Sequence, residues 1–340
     1  MNEMTTFSRH LYTPILFALL GLSNAFLAQA DDKQLDSAKS VVEQIVDVQT
    51  KIASGPHKGF RANHAKGIIA TGIFTPSAEA AGLTSAVHLQ NTASEVIVRF
   101  SNATGIPTIA DTSPKANPRG IAIRFKLADE AFTDIVSLSV NRFPVSTPEA
   151  FLALLQANAA TKADSPKPTP IEQFLAENPS AQAFVKIPKP APASYATQSY
   201  FGINAFKFTN TKGESRYGRY LITPLAGNIV LDEAKVASAS PDYLSEELAA
   251  RLNQGEASFR ISVQVANDGD SINDPTVVWP EDRAQVALGT LTLKAIPADS
   301  KTIEQKITFN PLILPDGIAP SEDKILLARP AAYAVSASRR

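Results

Sequence analysis

The sequence predicts one α+β domain built on a barrel or strongly curled antiparallel sheet, behind a short N-terminal leader. Stretches of period-two alternation recur along the chain, helical stretches fall between them, and no linker sets apart a second core-sized pattern. Composition agrees with a globular chain: 340 residues, 44% hydrophobic, 19% charged and a formal net charge of −1. That balance shows no bias toward nucleic acid or an anionic membrane.

The leader comes first. Arg9, the apolar run 15–22 and Ala28-Gln-Ala30 have the three parts of a secretory signal, with cleavage expected after Ala30 and residues 31–340 left as the mature domain. The run is shorter than the roughly 20 residues of a membrane span. Export to a bacterial periplasm is expected, with no membrane attachment after cleavage. Met1 and Met4 are the only methionines and there is no cysteine. The mature chain would then carry neither disulfides nor oxidisable sulfur, which suits exposure to peroxide.

Residues 32–53 read as an amphipathic helix with Leu35, Val42, Ile45 and Val46 near one face, ended by Ser54-Gly55-Pro56. Residues 95–101 and 120–126 alternate as strands, and Arg99 and Ser101 share one face opposite Val98 and Phe100. Such a polar face, turned inward, implies something charged inside. A further strand is expected at 133–140 and a helix at 147–158. The proline-rich segment 164–192 reads as surface connection around one helix, 171–184. Strands are expected again at 199–209, 217–223, 259–266 and 286–295, with a capped helix at 240–253. Ser321 is a candidate N-cap for a last helix that places Arg329 and Tyr333 on one face. Pro330 between them is expected to kink it.

Together these segments resemble the haem catalase family over nearly all of the mature chain. Arg61-x-x-His64-Ala-Lys-Gly67 resembles the family's distal histidine segment. Val98-Arg-Phe-Ser101, Ala110-Asp-Thr112 and Pro118-Arg-Gly120 resemble the family's next segment, and the stretch from Asp134-Ile-Val136 to Phe151 is similar to its distal strand and helix. Val278-Trp-Pro280 and Gly289-Thr-Leu-Thr-Leu293 look like the later strands, and Arg329-Pro-Ala-Ala-Tyr333 resembles the Arg-x-x-x-Tyr haem-ligand motif. The chain ends seven residues after Tyr333, where typical members continue, so it most resembles the small catalase-related peroxidase branch.

The resemblance implies a barrel of about eight antiparallel strands with flanking helices, and haem b buried between the barrel and the C-terminal helix. It implies a peroxidase that reduces H2O2, with organic peroxides as further candidates, using a small organic reductant and keeping weak catalase activity. A haem-dependent hydroperoxide-rearranging enzyme and a non-enzymatic haem-binding barrel are the alternatives. A monomer or homodimer is expected. By the resemblance, Tyr333 is the axial ligand of the iron and Arg329 supports its anionic form. His64 is the general acid and base, and Ser101 fixes its tautomer. Arg61, Arg99 and Arg340 pair with the haem carboxylates. Phe143 and Phe151 line the distal side or its channel.

Two positions depart from the family. Asn63 stands where valine is usual, and Leu138 stands where full catalases carry a peroxide-orienting asparagine. Leucine cannot hydrogen-bond, so a shift from dismutation toward peroxidase turnover is expected. His57 and His88 match no motif and are expected at the surface, with Asp111 structural.

Overall fold

The computed structural model describes residues 39–340, and ten strands in it form one antiparallel sheet. They are β1 (Gly67–Pro76), β2 (Ser94–Asn102), β3 (Arg119–Lys126), β4 (Phe132–Leu138), β5 (Tyr200–Phe201), β6 (Phe206–Thr209), β7 (Ser215–Pro224), β8 (Ala257–Val265), β9 (Gln285–Ala295) and β10 (Ile318–Pro320). The sheet closes because β7 pairs with both β5 and β8. The ring runs β7-β5-β4-β3-β2-β1-β9-β8, an eight-stranded barrel, with β6 and β10 appended at β7. Closure leaves those eight strands without a free edge. The expected architecture is therefore present.

Helices decorate this barrel: α1 (Val41–Ile52), α2 (Ala80–Leu83), α3 (Pro148–Ala160), α4 (Pro170–Glu177), α5 (Pro179–Val185), α6 (Glu233–Ser238), α7 (Tyr243–Gln254), α8 (Ser300–Lys306) and α9 (Lys324–Ser338). No described helix is long and apolar enough to cross a membrane. The proposed leader, and residues 32–38 of the first predicted helix, lie outside the described residues. Within them α1 starts later than predicted, at a capping box in which Ser40 and Glu43 satisfy each other's backbone N–H groups.

The barrel interior is filled by apolar and aromatic side chains such as Val98, Phe100, Ile123, Phe125 and Phe259, all fully buried. Alternation therefore sends Arg99, Ser101, Gly120 and Ala122 to the outer surface. This corrects the expectation that the polar face points into the barrel. It is buried all the same, because α1, α3 and α9 pack against one another above it.

Other departures have local causes. The helix expected at 171–184 breaks into α4 and α5, because Pro179 holds Asn178 out of helical geometry. The strand expected at 199–209 is interrupted between β5 and β6, and that break carries Ile203 and Asn204. β1 escaped notice because neighbouring Ile69 and Ala70 are both fully buried, which erases the alternation. The N-cap of α9 is Asp323, not Ser321: its carboxylate accepts from the N–H groups of Ile325 and Leu326 at 2.9 and 3.3 Å. Pro330 sits inside α9 without ending it. His88 is buried, not at the surface; its ring packs 4.9 Å from that of Phe125 and its Nδ1 has no partner. His57 is half-buried, with Nε2 2.9 Å from the carbonyl of Ala53. Asp111 is structural as expected: it accepts from Asn102 and from the N–H of Leu244, and pairs with Lys66.

Candidate active site

One cavity lies between the outer face of β2–β4 and the helices α1, α3 and α9. It gathers every residue singled out from the sequence: Arg61, His64, Arg99, Ser101, Phe143, Phe151, Arg329, Tyr333 and Arg340.

His64 precedes β1 and has a left-handed backbone, φ 54°, uncommon outside glycine. Arg99 helps to hold it there by donating from Nη2 to the His64 carbonyl at 2.7 Å. The strand register sets Gly67, Ser101, Gly120 and Leu138 in one row across β1–β4. A Cβ at Gly120 would stand 3.0 Å from Ser101 Oγ and 3.1 Å from His64 Nδ1, so the imidazole reaches the sheet only over a glycine. Ser101 Oγ lies 3.0 Å from Nδ1 and fixes the ring, which leaves Nε2 as the nitrogen free for chemistry. Burial chiefly, then the charges of Arg99, Arg329 and Arg61, lower His64 to about 3. The imidazole is neutral at physiological pH. Leu138 ends the row with an apolar side chain, and the rings of Phe143 and Phe151 meet at 5.0 Å on the same cavity.

On α9 the four-residue spacing brings Arg329 onto Tyr333: Nε and Nη2 donate to Oη at 3.0 and 2.9 Å. Two charge-assisted donors are the arrangement a phenolic oxygen needs to carry negative charge. Arg329 is itself fixed from behind. Its Nη1 donates to Asn204 Oδ1 at 2.8 Å, and Asn204 Nδ2 donates to Asp323 Oδ2 at 2.7 Å. Burial holds Asp323 above the usual carboxylate range, against the bonds from Asn204, Leu326 and Ile325. The sequence did not single out Asn204; its only signal is the interrupted strand pattern around Gly202.

At one end of the cavity three guanidiniums converge. Arg61 donates to the carbonyls of Glu304 and Ile307 at 3.1 and 2.7 Å, and Arg340 to those of Gln305 and Ile307 at 3.1 and 3.3 Å. Arg99 donates from Nε and Nη2 to Glu304 Oε1 at 3.1 and 2.6 Å. Glu304, also missed from the sequence, is the acidic partner of this group. Burial and the like charges of Arg99 and Arg340 pull Arg61 down to about 8, against the pull of Glu304. A guanidinium keeps its proton in a protein, so the physical content is a demand for further negative charge.

The catalase family model matches residues 58–340. The chain belongs to the catalase family. It is 34% identical over 290 residues to a catalase-related peroxidase of Synechococcus elongatus, covering 84% of this chain and 85% of the relative. A catalase-related peroxidase of Mycolicibacterium paratuberculosis is 34% identical over 84% of this chain and 90% of its own. A fungal catalase of known structure superposes with a TM-score of 0.74 at 23% identity, over 83% of this chain. This chain spans only 59% of that catalase's length.

Family membership implies a haem cofactor. The residues present fit it. An imidazole faces the cavity from the sheet and a doubly hydrogen-bonded phenol from α9, with apolar and aromatic walls between them. At the arginine end the buried Nε of Arg340 has no partner.

Proposed function

We propose that this member of the family is a haem b peroxidase that reduces H2O2 with electrons from a small organic reductant. The observation that carries the reading is the meeting of two pairs, His64–Ser101 and Arg329–Tyr333, on one cavity. The names of the two relatives at 34% identity support it. Bound haem supplies a redox-active iron that takes up the oxidising equivalents of peroxide and passes them to the reductant. Tyr333 Oη would hold the haem iron, with Arg329 donating to that oxygen. Arg61, Arg99 and Arg340 would hold the haem carboxylates.

His64 Nε2, neutral and with its partner nitrogen fixed by Ser101, would take a proton from one peroxide oxygen and return it to the departing one. General acid–base catalysis of this kind contributes typically about 10²–10⁴-fold. Leu138 offers a second peroxide no hydrogen bond, which favours the organic reductant as electron source. Phe143 and Phe151 would make the approach to His64 apolar. The leader motif supports export to the periplasm, and a monomer or homodimer is the assembly in this reading.

His64→Ala tests the proposal. The variant is expected to keep the Soret band of bound haem and lose peroxide consumption by at least about a hundredfold. Undiminished consumption would remove His64 from the mechanism.

A further inference from the structure

Two of the three arginines that would receive the haem carboxylates already share a carboxylate from the chain itself. Glu304 Oε1 accepts from both Nε and Nη2 of Arg99, and it lies 3.7 Å from Nη1 of Arg61. The Nε–Nη2 edge of arginine is one that engages carboxylates side-on. In Arg99 that edge is committed to Glu304, and its Nη2 also serves the carbonyl of His64. The side chains of Arg99 and Glu304 are 5% and 18% exposed, so water screens this pair weakly.

The geometry points to Glu304 as a resident competitor of the haem carboxylates. It neutralises Arg61 and Arg99 in the apoprotein and so lowers the affinity for the cofactor. This rests on the haem reading above. The apoprotein gains a partner for two guanidiniums that would otherwise be buried without an anion. The incoming haem then meets a like charge and must share, or displace, Glu304 at Arg99. The same contact bears on the distal side, because Arg99 also holds the backbone of His64.

The test is a titration of apoprotein with haem and with haem dimethyl ester, which has no free carboxylate, monitored by quenching of the single tryptophan, Trp279. Glu304→Gln keeps the shape and removes the charge. It is expected to bind haem about tenfold or more tightly than wild type, to bind the ester unchanged, and to melt at a lower temperature as apoprotein. Glu304→Asp keeps the charge and is expected to stay within about threefold of wild type for haem. Haem affinity unchanged or weakened in Glu304→Gln would overturn the proposal. So would an equal gain for the ester, or an equal gain in Glu304→Asp, since either would show opening of the site rather than loss of competition. Binding of neither compound by any of the proteins would overturn the haem reading itself, and this proposal with it.

Discussion

Replacing Asn204 with leucine tests how the tyrosine side of the cavity is held. The substitution keeps the branched shape of the side chain but removes both hydrogen bonds that Asn204 makes, with Arg329 at 2.8 Å and Asp323 at 2.7 Å. A hydrogen bond to a charged group contributes about 1.5–3 kcal/mol. Both lost bonds are to ions, and Asp323 is fully buried. Arg329 keeps its two bonds to Tyr333, and Asp323 keeps the N–H groups of Ile325 and Leu326, which softens the loss. The expected destabilisation is therefore about 3–4 kcal/mol, at the lower end of the sum. Urea unfolding of the apoproteins measures it. Asp323→Asn keeps a competent N-cap while removing the charge, so a cycle of the two substitutions isolates their contact. A coupling of about 1–2 kcal/mol is expected. A loss below about 1 kcal/mol, or an additive cycle, would refute the claim that Asn204 joins Arg329 to the start of α9.

Three further outcomes are expected from other parts of the structure. Gly120→Ala brings a Cβ to 3.0–3.1 Å from Ser101 and His64; displacing the imidazole by a few tenths of an ångström is expected to cut kcat/KM for peroxide about tenfold or more while haem still binds, and an unchanged kcat/KM would contradict the placement of His64. His88 is lowered by burial from 6.5 to about 4, so below pH 6.5 the unfolded chain binds a proton that the fold resists and stability falls with pH, by about 3 kcal/mol once pH 4 is reached. His88→Leu should flatten that slope in unfolding measured at pH 7 and pH 4; an unchanged slope would mean the histidine is not held neutral. His64, lowered in the same direction to about 3, stays in both proteins and cancels in the comparison. Leu138→Asn should raise oxygen release from H2O2 without a reductant several-fold, and no rise would mean that Leu138 does not limit dismutation.

The strands with one face buried were legible from alternation alone, as β2 and β3 show. The side that each face would take was not. Arg99 and Ser101 were placed together correctly, but a polar row reads the same whether it lies inside a barrel or beneath helices outside it. β1 was illegible because both of its faces are covered at Ile69 and Ala70. The motif residues His64, Arg329 and Tyr333 were found by resemblance, and the fold brings them to one cavity. Asn204, Asp323 and Glu304 left no such trace. Each acts through contacts that reach far across the fold, Asn204 to Asp323 119 positions away and Glu304 to Arg99 205 positions away. Contacts of that kind impose no periodicity on the chain.

Peroxide consumption by the haem-loaded protein, with oxygen recorded and with or without a phenol as reductant, tests the central claim most directly. The account predicts consumption that depends on the phenol, oxidises it and releases little oxygen. Brisk oxygen release without the phenol would contradict it and make this protein a catalase that manages with leucine at position 138.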